Sequence, residues 1–213
     1  MKADFNSLRN NFLKGGLLLK DLDPDPFKQT SAWLNEAVAT KQPDANAMSL
    51  STVGKSGEPH SRIVLLKEIQ DDGIVFYSNY KSDKGYEISQ NPRVALLFFW
   101  SFMERQLRIE GVVEKLPEEI SDLYFASRPR ASQLGAWSSA QSSVIENYQI
   151  LEKAFAEAEK KFKGANVPRP DYWGGYIVKP NKFEFWQGRP SRLHQRFRYN
   201  IIGNEWNIES VAP

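Results

Sequence analysis

Between Ala47 and Lys115 the sequence repeats a pattern that few folds accept: segments of strand length, apolar or alternating, each closed by a turn signal. "AMSLSTV" and "HSRIVLLKEI" flank "GKSGEP", whose glycines and proline make a turn between two strands. "DDG" then separates the second segment from "IVFYSN", a further hairpin signal. "SDKGYEISQNP" reads as a short helix capped by Ser82 and stopped before Pro92, and "RVALLFFW" and "RQLRIEGVVEKL" follow as strands. The first of these is apolar enough to be buried on both faces. The tail adds "WGGYIVKP", "KFEFWQG", "SRLHQRFRYN" and "EWNIESVAP". Strands in mostly antiparallel succession, with helices inserted, predict an α+β protein built on a β-barrel.

The helices have their own signals. "SLRNNFLKGGLL" is a short amphipathic stretch ended by Gly15-Gly16, and the pair at 174–175 reads likewise as turn or strand-bend glycines. In "DLDPDPFKQTSAWLNEAVATKQ", Asp25 is placed to cap a helix that begins at Pro26, with Trp33, Leu34 and Val38 as its core stripe. "PEEISDLYFASRPRASQLGAW" is helical with a break where Arg128 precedes Pro129. "NYQILEKAFAEAEKKFKG" is a helix ending at Gly164. With no repeat, low-complexity run or linker, residues 1–213 are expected to form one domain.

Composition narrows the function classes. A net charge of +2 does not suit a protein that coats nucleic acid or lies on a membrane surface. No cysteine is present, which removes disulfides, thiolate metal sites and a cysteine nucleophile, and suits a cytoplasmic protein. No apolar run fits a secretory signal or a membrane-spanning helix. Two distant histidines make a metal site an unfavourable reading, and no phosphate-binding glycine loop, dinucleotide fingerprint, HExxH or GxSxG occurs.

What remains are basic and hydroxyl residues whose spacing lets them converge. Arg62 and Lys67 flank an apolar strand on opposite faces, either as strand-end charges in solvent or as ligand contacts. Tyr124, Arg128 and Ser132 fall at i, i+4 and i+8, a phosphate cradle or a solvated helix side. "AQSSV" at 140–144 offers an amide and two hydroxyls, or an ordinary helix cap. Trp186, Trp100 and Tyr77 could stack on a planar cofactor or fill the core. In the tail, Arg192, His194, Arg196 and Arg198 share one face if the segment is a strand, an arrangement that calls for an anionic partner or open solvent.

In order and spacing, "RIVLLK" (62–67), "FYSN" (76–79), "ERQLRIEG" (104–111), "YFASRPRASQLGAW" (124–137), "QSS" (141–143), "WGGY" (173–176), "EFWQG" (184–188), "RLHQRF" (192–197) and the terminal "VAP" resemble the pyridoxamine/pyridoxine 5′-phosphate oxidase family. The similarity runs from about Leu8 to Pro213. It implies a homodimer of split β-barrels with FMN at the subunit interface and residues 1–20 as a mobile N-terminal lid. The implied reaction oxidises the 4′ amine or alcohol carbon of a phosphorylated B6 vitamer to the aldehyde. Flavin takes the hydride equivalent, and O2 reoxidises it to give hydrogen peroxide.

Residue by residue, the resemblance assigns Arg62 to the flavin phosphate and the backbone of Ile63, Val64, Leu65 and Leu66 to the ring. Lys67, Tyr77, Ser78, Lys84, Gln106, Gln141, Ser142, Trp186 and Arg196 match further flavin positions. The substrate phosphate falls to Lys67, Tyr124, Arg128 and Ser132, while Arg192 and His194 position the pyridine ring and Arg9 belongs to the lid. His194 is then an orienter and not a nucleophile. Three departures stand out: Asp83 replaces a frequent basic residue, Phe12 a frequent lid tyrosine, and Gln195 a common aspartate. The first predicts weaker flavin binding, the second a lost hydroxyl contact, and the third little effect, because Gln195 is expected on the opposite strand face. Retention of the phosphate residues argues against a split-barrel flavoprotein with an unphosphorylated substrate; a non-catalytic pyridoxal phosphate carrier would share them.

Overall fold

The computed structural model describes residues 11–203 and 205–213. Arg9 and the first half of the proposed lid, residues 1–10, lie outside them. Helix α1 (Pro26–Ala39) starts where the sequence places it: the Asp25 carboxylate accepts the Phe27 N–H, and Pro26, which has no N–H to satisfy, opens the first turn. Trp33 is 2 % exposed in the core, but Val38 is 63 % exposed and leaves the expected stripe. The amphipathic stretch before it is not a helix over its described part, residues 11–18. Its backbone groups are satisfied elsewhere, with the Lys14 N–H donating to Glu104 and the Leu17 N–H to Gln195 Oε1 at 2.7 Å.

Nine antiparallel strands form one curled sheet among the described residues, with the order β2-β1-β5-β6-β7-β4-β3, and β8 and β9 continuing from β7. These are β1 (Ala47–Val53), β2 (Pro59–Leu65), β3 (Glu68–Gln70), β4 (Gly73–Asn79), β5 (Arg93–Trp100), β6 (Arg105–Lys115), β7 (Trp173–Gln187), β8 (Gln195–Ile202) and β9 (Glu205–Ser210). "HSRIVLLKEI" is therefore two strands. The chain leaves β2 after Leu65 and pairs afresh with β4, so the parity argument for Arg62 and Lys67 lapses. β5 is buried on one face only: Leu97 and Phe99 are exposed on the other.

"WGGYIVKP" and "KFEFWQG" merge into β7, fifteen residues long. Pro180 is tolerated inside it because it faces Gly111 at a register shift in β6, where a strand lacks a ladder bond anyway. β7 pairs with β6 along its length, with β4 through its first half and with β8 through its second. Gly174 and Gly175 are the second and third residues of β7 and not turn glycines. A Cβ on Gly175 would stand 2.9 Å from the Tyr77 ring and 2.6 Å from Leu116, so glycine is what admits that ring.

Four helices complete the described chain. Helix α2 (Asp83–Gln90) is capped by Ser82, whose hydroxyl accepts the Gly85 N–H. The sequence signal for a break at Arg128–Pro129 corresponds to two helices, α3 (Glu118–Ser127) and α4 (Arg130–Ser138), with Arg128 extended between them. Helix α5 (Gln149–Lys161) ends just before Gly164, whose φ of +73° lies in the left-handed region. The main core, with Trp33, Trp100, Phe98, Leu107, Phe183 and Phe185, fills the curl of the sheet; α3, α4 and α5 pack a smaller core on Trp173.

Candidate functional site

The candidate residues gather in three places. The first is a cleft of about 630 Å³ between β2, α2 and the loop before α5, lined by Arg62, Ile63, Asp83, Lys84, Gln141 and Ser142, with His60 and Glu87 beside them. Lys84 is 8 % exposed; its ammonium donates to Ser82 Oγ at 3.1 Å and Gln141 Oε1 at 3.0 Å. Burial, helped by the Arg62 charge, holds its pKa below the ordinary lysine value. Arg62 donates from Nη2 to Glu87 Oε2 at 3.0 Å and from Nη1 to Leu50 O and Thr52. Asp83 lines the cleft, and its backbone N–H donates to Ser142 Oγ.

The second place is an aromatic stack beside the start of β7. Tyr77 and Tyr124 lie face to face at 3.7 Å, parallel to Trp173, and the Arg128 guanidinium sits 4.4 Å from the Trp173 ring centre. Burial, with smaller contributions from Glu68 and Tyr124, pushes the Tyr77 hydroxyl up to about 12. Lys67 joins from the link between β2 and β3, its N–H donating to Val75 O two residues from Tyr77. Ser132 lies on the first turn of α4. Arg128 is desolvated enough that its pKa is lowered, and its Nη1 is buried without any partner among the described residues. Such a donor costs stability unless an acceptor arrives from outside the chain. Ser78, next to Tyr77, is buried on the opposite face of β4.

The third place is the far end of β7. Gln106 pairs with Trp186, which pairs with Arg196. The Trp186 and His194 rings are 4.7 Å apart, and Phe12 meets both edge-on at 5.5 Å, a position that needs a glycine at 188, where a Cβ would fall 2.7 Å from Phe12. The tail is not a strand from Ser191. Pro190 has no N–H for a ladder, and 190–192 form a tight turn with Ser191 and Arg192 at positive φ. The shared strand face for Arg192, His194 and Arg196 is therefore wrong: Arg192 is exposed on that turn and His194 precedes β8. The anion opposite the tail arginines is Glu184, 3 % exposed, which accepts from Arg196 Nε and Nη2 at 2.8–3.1 Å and lies 3.6 Å from Arg198. Gln195 also departs from expectation, because its side chain anchors Leu17.

His194 Nδ1 accepts the Arg189 N–H at 3.1 Å, which leaves Nε2 to carry the ring proton. Burial and the nearby Arg192 lower its pKa. Its titration midpoint by NMR is expected below the ordinary 6.5. Adding a proton to Nδ1 breaks the Arg189 bond, so the ring's orientation holds above that midpoint and fails as pH falls through it. A midpoint at or above 6.5 would contradict the assigned tautomer.

Trp100, one of the stacking candidates, is a core residue whose indole N–H donates to Ala45 O at 2.8 Å. Thr52, His60 and Glu87 were not legible as site residues, although Lys84 and Glu87 at i and i+3 share a helix face, which is a usable signal. Trp173 and Trp186, bordering the second and third places, are separated by about 40 Å of strand contour, at roughly 3.3 Å per residue.

Comparison with known proteins gives the family. Residues 34–162 match the family model described as pyridoxamine 5′-phosphate oxidase, and residues 173–213 match the pyridoxine 5′-phosphate oxidase C-terminal dimerisation region. The chain is 50 % identical over 207 residues to a pyridoxine/pyridoxamine 5′-phosphate oxidase of Cupriavidus taiwanensis, covering 97 % of each chain. It is 46 % identical to the Synechocystis enzyme of that name, over 97 % of this chain and 96 % of the relative. Among solved structures, PhzG from Burkholderia lata, in complex with tetrahydrophenazine-1-carboxylic acid, superposes with a TM-score of 0.88 at 27 % identity, covering 94 % of this chain and 99 % of that one. A related FMN-binding protein from Nostoc punctiforme shares the fold alone, with a TM-score of 0.72 at 16 % identity over 90 % of this chain and 100 % of that one. The chain therefore belongs to the pyridoxamine 5′-phosphate oxidase family.

Proposed function

We propose that this protein is an FMN-dependent oxidase that converts pyridoxamine 5′-phosphate and pyridoxine 5′-phosphate to pyridoxal 5′-phosphate, with O2 as acceptor and hydrogen peroxide as co-product. The observation that carries the reading is the presence of two separate cationic cradles in one protomer, one for each of two phosphorylated ligands. Arg62, Lys84, Gln141 and Ser142 line a cleft suited to the cofactor phosphate. Arg128, whose buried Nη1 has no partner among the described residues, stands with Lys67 and Tyr124 for the substrate phosphate. The donor set fits FMN: cations for its phosphate, apolar strand residues such as Ile63 and an indole at Trp186 for its ring.

When bound, FMN accepts the hydride equivalent from C4′ and passes the electrons to O2. The protein's part is orientation. The second place grips the substrate phosphate, and the Arg192–His194 turn fixes the pyridine ring. Because the turn and the grip sit at opposite ends of β7, each site draws on two copies of the chain. The uncovered face of β2, β1 and β5 supports that association: Ile63 and Leu97 both pair with Ser49 in one cross-strand row and are 67 % and 37 % exposed. No described helix is long and apolar enough to cross a membrane, and we read the protein as cytoplasmic.

The decisive experiment is an anaerobic titration of the purified flavoprotein with pyridoxamine 5′-phosphate, followed by admission of air. Bleaching of the flavin absorption and its return with peroxide release are expected. Protein that binds pyridoxal 5′-phosphate without bleaching would be a carrier. Equal turnover of phosphorylated and unphosphorylated amines would point to a substrate like the PhzG ligand, a carboxylic acid without phosphate.

A further inference from the structure

Arg62 lines the cofactor cleft, but a guanidinium on a flexible stem recognises phosphate well only when its planar fork is held at one tilt. Here three protein groups hold it. Nη1 donates to Leu50 O at 3.2 Å and to Thr52 Oγ1; Nη2 donates to Glu87 Oε2 at 3.0 Å. The Thr52 hydroxyl donates to the same Glu87 oxygen, which closes a triangle of side chains. Thr52 is 0 % and Glu87 7 % exposed, so the triangle lies almost wholly out of water. His60 approaches the other Glu87 oxygen, with Nδ1 at 2.6 Å from Oε1.

Of the five N–H groups on a guanidinium, three are occupied by Leu50, Thr52 and Glu87. Among the described residues no protein acceptor meets the Nε–H or the second Nη2–H. Those two donors are neighbours on one edge of the plane, the pair that binds a phosphate through two parallel bonds. The electrostatics at first oppose this use. Glu87 and Asp83 are both anionic and both line the cleft, against Lys84, Arg62 and, when protonated, His60. Burial works to raise the Glu87 pKa, but the bonds from Thr52, Arg62 and His60 outweigh it and hold the carboxyl below its usual range. A carboxylate kept ionised beside a phosphate site repels the ligand unless it does something else for it.

We infer that Glu87, together with Thr52, is a positioning pair that locks Arg62 so that its free Nε–Nη2 edge is presented to the phosphate of the cofactor. The inference rests on the proposed FMN function and extends it to residues that make no contact with the reacting atoms. It predicts a sign that charge alone reverses. Removing a nearby anion should tighten phosphate binding by Coulomb's law, whereas unlocking Arg62 should weaken it.

The test is a fluorescence titration of the full-length protein, stripped of flavin, with FMN and with riboflavin, which lacks the phosphate. Glu87→Ala is expected to weaken FMN binding about tenfold or more while riboflavin affinity changes less than about twofold. Glu87→Gln keeps one carbonyl oxygen for Arg62 or Thr52, and Thr52→Val keeps the carboxylate; each should weaken FMN binding by a smaller factor. If Glu87→Ala does not fold, these two carry the same comparison. FMN affinity unchanged or tightened in the Glu87 variants would overturn the inference, as would equal losses for FMN and riboflavin, the mark of a merely structural role. Wild-type protein that binds neither flavin would overturn the cofactor reading beneath it, an outcome separate from the other two.

Discussion

Replacing Arg128 by alanine is expected to lower kcat/KM for pyridoxamine 5′-phosphate by a few hundredfold, about 3–4 kcal/mol of lost binding to the phosphate. Flavin affinity should stay within about twofold, because Arg62 and Lys84 belong to a different cleft from the Trp173 stack. The size follows from burial. A guanidinium stacked on Trp173, with a buried donor unpaired among the described residues, meets its anion in a water-poor site where a charge-assisted bond is strong. The control is unphosphorylated pyridoxamine, for which wild type and Arg128→Ala should differ little. Losses of equal size on both substrates would mean that Arg128 supports the fold of the 124–132 corner and does not read the phosphate.

Chains carrying Arg128→Ala mixed with chains carrying His194→Ala should regain activity that neither has alone. In a mixed dimer one site combines both lesions, and the other combines an intact grip from one chain with an intact turn from its partner. With random reassembly half of the dimers are mixed and each holds one sound site, so recovery should approach about a quarter of wild-type activity. The experiment needs co-expression or reversible unfolding of the two variants, with peroxide release as the readout. No recovery from a verified mixed dimer would place both residues in a site built by one chain, against the separation that β7 imposes.

Local chemistry was legible where one residue type has one use. Asp25-Pro26 starts α1, Ser82 caps α2, and Arg128-Pro129 separates α3 from α4, each for a backbone reason that needs no tertiary partner. The ordered motifs also carried the family. What escaped was tertiary. An apolar run such as "RVALLFFW" has the same composition whether its second face meets its own chain or another copy. Alternation in "SRLHQRF" suggested a strand face because nothing in the sequence announces that Ser191 and Arg192 adopt left-handed backbone. Glu184 as the counter-ion of Arg196 and Arg198, and Glu87 as the partner of Arg62, are contacts between elements, invisible to any count along one element.

β7 acts as a gauge block. Its fifteen residues fix how far the Tyr77–Tyr124 corner stands from the Trp186–His194 corner, and the Gly111–Pro180 irregularity sets the twist between them. If each catalytic centre borrows one corner from each chain, the two centres share a single length standard. Lengthening the strand by one residue would turn one corner to the wrong side of the sheet, and by two would displace it by about 7 Å with its facing preserved. Neither change could be confined to one centre of a symmetric dimer. A substitution at either corner acts locally, whereas a change in the number of residues between the corners alters both centres at once.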